Sequence, residues 1–430
     1  MQATLLRSFA SIAMLVVAAV ALRCPSYFAY AAPPKAEDEP VLFVVRSKAD
    51  VQALKDPVQV HAKGLDSESL NLLLGHQTLR FLTIQAGDLT EAESWKKLGR
   101  LKQLVSLSIT DHGEYKEEEE TANWGTLLRE LKDSPVERIK LDRVYDTTQE
   151  WLARFADVAR LKYLELPELS ESNPTAPPEV PRWELESLQF SGSANAYGLD
   201  SGWLAFLGKQ PKLTSLGLSR AKLDDAGCKG LAASSSIRAL RLDQCIFAGG
   251  LVPDSFKFDA GLDLLEERHS LEDRPLAKLI SLNVPKAISI SCGISVTGQW
   301  FADVADWSRL EELKVYEHSD SKWSNEHIIG AFPKMTALRK VALQGKRLTS
   351  DAVVEAFLAR SPKEVTLWDA EDLSPESVEK LVESTFIESL IVDGLSTITA
   401  NEAQKQRSRF LALREGVPNA KCELQVKESH

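Results

Sequence analysis

The chain has 430 residues, of which 62 are acidic and 51 are basic, so its formal net charge at pH 7 is −11. A general nucleic-acid binder needs a basic surface to neutralise phosphates, and this charge balance therefore argues against nucleic acid as a partner. A chain of this length ordinarily divides into two or three domains, unless it forms a repeat array that grows along one axis.

Residues 1–31 are predicted to be a signal peptide. Arg7 precedes an apolar run from Phe9 to Leu22, which at fourteen residues is short for a bilayer span. Ala29 and Ala31 supply the small residues of a cleavage point. An uncleaved membrane anchor is the alternative interpretation. Residues 32–40 are charged and proline-rich, which predicts a disordered leader. We therefore expect an exported protein, periplasmic or extracellular, with no stable membrane span after cleavage.

A β-branched run from Val41 to Val45 predicts an N-terminal cap over residues 41–57. After it, a frame with the spacing apolar-x-x-apolar-x-apolar recurs along the chain, as in Ile237 to Leu242 and Leu310 to Val315. The central apolar residues of the copies are Val58, Leu82, Leu107, Ile139, Leu164, Leu188, Leu216, Leu240, Leu282, Leu313, Val341, Val365 and Leu390.

The intervals between these central residues are 24, 25, 32, 25, 24, 28, 24, 42, 31, 28, 24 and 25. The last two apolar positions of each frame are two apart, so in a strand both point to one face and the residue between them points to the other. A strand this short cannot bury its apolar face alone. Successive units must therefore stack, and their strands form a parallel sheet.

Helix start signals follow several frames. Thr90, Thr147 and Thr399 each precede a glutamate by three residues, as in a capping box, and Ser374 stands before a first-turn proline. The predicted helices are Thr90 to Leu98, Thr148 to Val158, Asp351 to Leu358 and Pro375 to Val382. At the end of the chain, a helix from Asn401 to Arg414 and an alternating strand from Cys422 to Val426 predict a C-terminal cap over residues 400–426, and residues 41–426 would form a single array.

At these residues the chain resembles the leucine-rich repeat family, over roughly residues 55–426. The strand-then-helix unit is similar to the ribonuclease-inhibitor-like subclass, and the run from Leu223 to Leu231 is similar to that of its F-box-associated relatives. The resemblance implies an α/β solenoid, a horseshoe with a parallel β-sheet on the concave face and helices on the convex face. The family usually has Asn, Cys or Thr three residues past the frame. Only Cys245 fits here, so other contacts must hold the turns.

Two intervals are too long and predict insertions. The first contains the acidic run Glu114 to Glu120, which is either a solvated loop or a site for a cation or a basic partner. The second contains Gly249, Gly250 and the stretch from Leu262 to Arg268. Insertions leave a solenoid as loops on one face, which is often the binding face.

Motifs of catalysis are missing from the sequence. The seven histidines have no metal-ligand spacing, and the chain contains no nucleophile elbow, phosphate loop or dinucleotide fingerprint. We therefore expect no metal, no cofactor and no catalytic residue. The spacing leaves the pairing of Cys228, Cys245, Cys292 and Cys422 open, although buried thiols fit better than disulfides. Trp95, Trp151, Trp203 and Trp307 lie among apolar helix residues and are expected in the core.

The function predicted is that of a non-enzymatic scaffold, monomeric and exported to the cell envelope, that binds a protein or peptide ligand. A structural or self-associating envelope component is the alternative, and an envelope hydrolase would need a site in the 249–275 insertion. Outward strand positions supply the ligand-binding candidates, with ordinary solvated residues as the plainer interpretation. Among them we expect Lys314, Tyr316 and Trp368 to share one patch within about 10 Å. The predicted partner-binding residues are Lys140, Asp142, Glu165, Arg241, Asp243, Lys314, Tyr316 and Trp368, and Asn283 is expected on the same face.

Overall fold

The computed structural model describes residues 42–85, 92–110, 127, 129–142, 155, 158–167, 183–191, 201–269, 271–318 and 320–427. The chain divides into two compact units, Met1–Leu42 and Phe43–His430, and the repeats belong to the second. The predicted signal peptide, the leader and the acidic run Glu114 to Glu120 lie outside the described residues.

A 16-stranded sheet organises the second unit, with its strands side by side in chain order. Its members are β1 (Leu42–Val45), β2 (Gln59–Ala62), β3 (Phe81–Gln85), β4 (Ser106–Thr110), β5 (Arg138–Asp142), β6 (Tyr163–Pro167), β7 (Ser187–Ser191), β8 (Ser215–Ser219), β10 (Ala239–Asp243), β12 (Leu264–Arg268), β13 (Ala287–Ser291), β14 (Glu312–Tyr316), β15 (Lys340–Gln344), β16 (Glu364–Trp368), β17 (Ser389–Leu395) and β18 (Lys421–Val426). The short strands β9 (Lys222–Leu223) and β11 (Ile246–Phe247) pair separately.

Parallel pairing repeats from β2 to β18 in equal register, apart from a shift between Val392 and Leu395 of β17. Leu216 of β8 pairs with Leu240 of β10, which pairs with Leu265 of β12, so the second position of each strand forms one buried row. The fourth position forms another, and both rows join a continuous apolar core with the buried sides of the helices. The predicted leucine-rich repeat solenoid, with a parallel sheet and helices, is confirmed.

The helices connect the strands. Their bounds are Lys48–Ala53, Ser67–Leu73, Ala92–Gly99, Ser201–Gly208, Asp225–Ala232, Asp273–Asn283, Trp300–Asp303, Asn325–Ala331, Asp351–Leu358, Pro375–Glu383 and Ala400–Ala412, with a 3₁₀ turn at Phe332–Lys334. The Asp351–Leu358 helix has its predicted bounds, and the helix that begins at Pro375 ends one residue later than predicted. Most of the predicted helix from Thr148 to Val158 lies outside the described residues.

The C-terminal cap begins with the predicted capping box. Thr399 Oγ1 accepts from the Glu402 backbone N–H at 3.3 Å, and Glu402 Oε2 accepts from the Thr399 backbone N–H at 2.8 Å. Behind this helix the guanidinium of Arg414 is buried, and it donates to the carbonyl oxygens of Val382 and Phe410, each at 3.1 Å. The cap is therefore joined to the last units by hydrogen bonds as well as by the closing strand β18.

The central residue predicted at Leu282 is wrong. Leu282 lies in the Asp273–Asn283 helix, where apolar residues spaced by three, such as Leu279 and Leu282, imitate the start of a frame. The true central residues are Leu265 of β12 and Ile288 of β13, which leave intervals of 25, 23 and 25 residues between Leu240 and Leu313. The residues predicted to form an insertion between Leu240 and Leu282 therefore belong to units of ordinary length. The hydrolase alternative required a site in an insertion at residues 249–275, and the structure has units of ordinary length there.

Two smaller corrections follow from the register. Val60, rather than the predicted Val58, pairs with Leu82 and is buried, because β2 begins only at Gln59.

Asn283 is buried at the end of its helix instead of facing outward. Its Oδ1 accepts from the Phe258 backbone N–H at 3.0 Å, and its Nδ2 donates to the Phe256 carbonyl at 3.2 Å.

The turns that follow the strands are held together by several kinds of side chain, in place of the regular asparagine ladder that is usual in the family. The Asp273 carboxylate accepts from the backbone N–H groups of Thr297 at 2.9 Å and Gly298 at 3.0 Å, in the next unit. Thr349 Oγ1 donates to the Gly345 carbonyl at 3.0 Å within its turn. Cys245, the one residue that fits the family pattern, points its Sγ at the Leu218 carbonyl at 3.4 Å.

Several tryptophans and the cysteines of the described residues are buried in the core. Trp95, Trp203 and Trp307 are buried, as predicted, while Trp151 lies outside the described residues. Burial raises the pKa of the Cys228 and Cys245 thiols to about 12 and that of Cys422 to about 11. All four cysteines in the described ranges, Cys228, Cys245, Cys292 and Cys422, are buried free thiols.

Candidate partner-binding surface

The face of the sheet opposite the core is the candidate surface. We call it the open face, and it consists of the first, third and fifth residues of the five-residue strands β3 to β8, β10 and β12 to β16. Equal register aligns these residues in three rows along the sheet. The predicted Lys140, Glu165, Arg241 and Lys314 occupy the third-position row, and Asp142, Asp243, Tyr316 and Trp368 occupy the fifth-position row.

Lys140 and Glu165 form an ion pair within the protein. Lys140 Nζ lies 2.9 Å from Glu165 Oε1, and the Tyr163 hydroxyl donates to Glu165 Oε2 at 2.9 Å. The Arg138 guanidinium lies over the Tyr163 ring, 5.0 Å from its centroid. Glu165 is only 3% exposed, because its neighbours cover it. The side chain of Asp142 lies outside the described part of the structure.

Arg241 lies at the centre of a second polar cluster. Its Nε is 3.1 Å from Glu266 Oε2, and its Nη1 donates to Gln189 Oε1 at 3.1 Å. Gln189 belongs to a strand two places away, and Arg241 reaches it because Gly217 stands between them without a side chain. A Cβ at Gly217 would lie 3.0 Å from Gln189 Cγ. The guanidinium therefore serves contacts inside the sheet.

Asp243 lies beside this cluster at the fifth position. Burial raises the pKa of its carboxyl, while the charges of Arg268, His269 and Arg220 oppose that rise. Burial lowers the pKa of His269, whose Nε2 lies 3.1 Å from Ser291 Oγ. The His269 backbone N–H also donates to the Ser291 carbonyl at 2.9 Å. These contacts link neighbouring turns along the edge of the open face.

Tyr316 and Trp368 are brought together, as their spacing predicts. Their ring centroids are 5.9 Å apart and the ring planes differ by 25°, so the rings stack across the strand between them. Gln344 of that strand pairs in register with both residues. Both rings are partly exposed, unlike the tryptophans of the core. We call Tyr316 and Trp368 the aromatic pair.

Lys314 has its own partner. Its Nζ lies 2.5 Å from Glu312 Oε1 on the same strand. Between the rings, Gln344 Nε2 donates to Asp369 Oδ2 at 2.8 Å, which directs a carboxylate to the side of the aromatic pair. The charge of Lys314 is thus neutralised by Glu312, which stands at the first position of the same strand. The charged group beside the rings is the carboxylate of Asp369.

Sequence reasoning missed Glu266 and Arg268, because it did not recognise β12. Arg268 Nε donates to Glu266 Oε1 at 2.8 Å, and Glu266 also pairs with Arg241, so the three charges form one cluster. An interval of 25 residues, which occurs three times among the predicted frames, leads from Leu240 to Leu265 and so to this strand.

Groups of three or more metal-ligating side chains do not occur in the described ranges. In the same ranges, no helix combines the length and the apolar composition that crossing a membrane requires.

Neither a family model nor a curated protein matches the chain. The structure of the Rad7 and Elc1 complex in yeast matches at 13% identity, covering 84% of this chain and 76% of that one, with a TM-score of 0.39. An internalin from Listeria monocytogenes matches at 14% identity over 89% of each chain, with a TM-score of 0.35. The Toll and Spatzle complex of Drosophila matches at 11% identity over 89% of this chain and 54% of that one, with a TM-score of 0.38. Likeness of this degree says nothing about the ligand, so the function has to follow from this chain's own surface.

Proposed function

We propose that this protein is a non-enzymatic scaffold that binds a protein or peptide partner on the open face, with the aromatic pair as the anchor. The observation that carries the proposal is the stacking of Tyr316 and Trp368, two large rings held partly exposed on a face whose other rows are mostly polar. Trp and Tyr are the residues that most often dominate the binding energy of protein interfaces.

The other predicted residues are less suited to anchor a partner. Lys140 is paired with the buried Glu165, and Arg241 with Glu266 and Gln189. A partner would have to break these internal pairs before it could use the charges, at the cost of desolvation. A partner that covers the aromatic pair removes apolar surface from water.

The first prediction concerns Trp368→Ala. It should weaken partner binding at least tenfold, because truncation of a tryptophan anchor costs about 2 kcal/mol or more. Stability should change little, since the ring is partly exposed and loses mainly one stacking contact of about 1 kcal/mol. The measurement is quantitative recovery of proteins from a cell-envelope extract on immobilised wild-type and variant protein, together with thermal melts of both.

Thr83→Ala is the matched control, because Thr83 occupies the third position of β3 on the same face and far along the sheet from the aromatic pair. It should recover the same proteins as the wild type. If the wild type and Trp368→Ala recover the same amounts of envelope proteins, the proposal is contradicted. If Trp368→Ala unfolds, the ring of Trp368 belongs to the core and does not serve as an anchor for a partner.

The finer identity is also a proposal. We place the protein among exported bacterial leucine-rich repeat proteins of the ribonuclease-inhibitor-like subclass, in the periplasm or outside the cell, as a monomer. Two features support it. The apolar run from Phe9 to Leu22 precedes a cleavage point. The run from Leu223 to Leu231, which is similar to that of F-box-associated leucine-rich repeat proteins, contains the last residue of β9 and most of the Asp225–Ala232 helix.

A further inference from the structure

We propose that the aromatic pair binds an arginine or lysine side chain of a basic partner segment, with Asp369 and Asp393 as the charges that select it. This inference rests on the proposed function and adds the chemistry of the partner.

Asp369 and Asp393 both lie next to Trp368. Asp369 follows it directly, and its Oδ2 accepts from Gln344 Nε2 at 2.8 Å. Asp393 continues the outward alternation of β17, the neighbouring strand, where Leu367 pairs with Val392. The Asp393 carbonyl accepts from the Ala370 backbone N–H at 3.0 Å, which fixes the two turns side by side. The two aspartates therefore lie at the corner of the open face that Trp368 occupies, one in the turn after its strand and one on the strand that pairs with it.

The charges around this corner largely cancel one another. Lys314 pairs with Glu312 at 2.5 Å, Lys340 with Glu364 at 2.9 Å and Lys421 with Glu423 at 2.9 Å. Lys346 and Lys427 share one partner, Glu371, and Lys346 also lies within electrostatic reach of Asp369 and Asp372. Among the described residues, neither Asp369 nor Asp393 takes part in an ion pair. The local surplus is therefore negative, as is the net charge of −11 of the whole chain.

A cationic side chain matches both features. An ammonium or guanidinium group is attracted to the face of a tryptophan or tyrosine ring. A guanidinium also forms two parallel hydrogen bonds to a carboxylate, and such charge-assisted bonds are among the strongest in proteins. An acidic segment would meet repulsion from the same two carboxylates. The surface therefore complements a basic segment and rejects an acidic one.

The test is selection from a random library of displayed peptides, about twelve residues long, on the intact protein. Wild-type protein should enrich peptides that contain arginine or lysine, and Trp368→Ala should lose them. For one selected peptide, the double variant Asp369→Asn, Asp393→Asn should weaken binding at least fivefold, as measured by calorimetry. Asparagine at 369 keeps an oxygen for Gln344, so the arrangement beside the rings is preserved.

Asp372→Asn is the matched control, because it removes one exposed carboxylate of the same loop that does not flank the rings. It should leave the affinity unchanged. Peptides that depend on Trp368 but carry no basic residues would overturn this inference and leave the proposed function standing. Selection of no peptide that depends on Trp368, or binding of soluble glycans in its place, would overturn both.

Discussion

Glu267 is the most unusual residue of the array. It stands at the fourth position of β12, where its register partners are Leu242 and Ile290, and it is only 1% exposed. Its Oε1 accepts from the Leu271 backbone N–H at 3.0 Å, so a carboxylate in an apolar row stabilises the turn that follows its own strand. Burial of such a group is tolerated only because it is hydrogen-bonded.

Glu267→Ala should lower the free energy of unfolding by about 3 kcal/mol, because it leaves a buried N–H without its acceptor and opens a cavity. Urea unfolding followed by circular dichroism measures the change. Ser289→Ala, at an outward position of β13, serves as the control and should stay within about 0.5 kcal/mol of the wild type. A Glu267→Ala variant as stable as this control would show that the carboxylate has no structural role.

The helix N-termini connect one unit to its neighbours. Asp224 Oδ1 accepts from the Gly227 backbone N–H at 2.7 Å, and its Oδ2 accepts from Ser201 Oγ of the preceding unit at 2.7 Å. The Asp351 carboxylate accepts from the backbone N–H of Ser374 in the following unit at 3.0 Å. Each such carboxylate therefore stabilises its own helix or its neighbour, and it does so more strongly while it is ionised.

Acid should weaken these connections. The N–H of Gly227 and the hydroxyl of Ser201 lower the pKa of Asp224 below its ordinary value of 3.8. Its folded pKa lies below the unfolded one, so its contribution is complete above the unfolded value and is lost as pH falls through the folded value. The melting temperature should therefore fall as the pH drops below about 5, and less steeply in Asp224→Asn than in the wild type.

Asp259→Asn, a change at an exposed turn residue, is the comparison for these melts and should follow the wild-type curve. Identical pH dependence in the wild type and Asp224→Asn would refute the role given to this carboxylate.

At the scale of elements, the sequence predicted regular units well and irregular ones poorly. Frames with apolar residues at both inward positions, such as Leu310 to Val315, were found because a strand needs that alternation. β12 was missed because Glu267 replaces the second inward apolar residue. The aromatic pair followed from strand phase alone, whereas the burial of Glu165 depends on a tyrosine and a lysine that only the register brings together.

At the scale of the whole molecule, we expect an exported monomer. Protein recovered from the cell envelope should begin at Ala32, which intact mass spectrometry measures, because cleavage after Ala31 would remove the apolar run. Light scattering should give the mass of one chain at every concentration tested. A mass that rises with concentration would favour the self-associating alternative, and a retained N-terminus would favour a membrane anchor.

Units of a repeat array ordinarily contact only their nearest neighbours. Two contacts on the open face reach one unit further: Arg241 bonds Gln189 across Gly217, and Tyr316 stacks on Trp368 across Gln344. Bending the sheet would change the length of each contact, because each joins strands that are not direct neighbours. We therefore expect these contacts to contribute to the stiffness of the array, and a ligand that holds the aromatic pair in place to change how readily the solenoid bends.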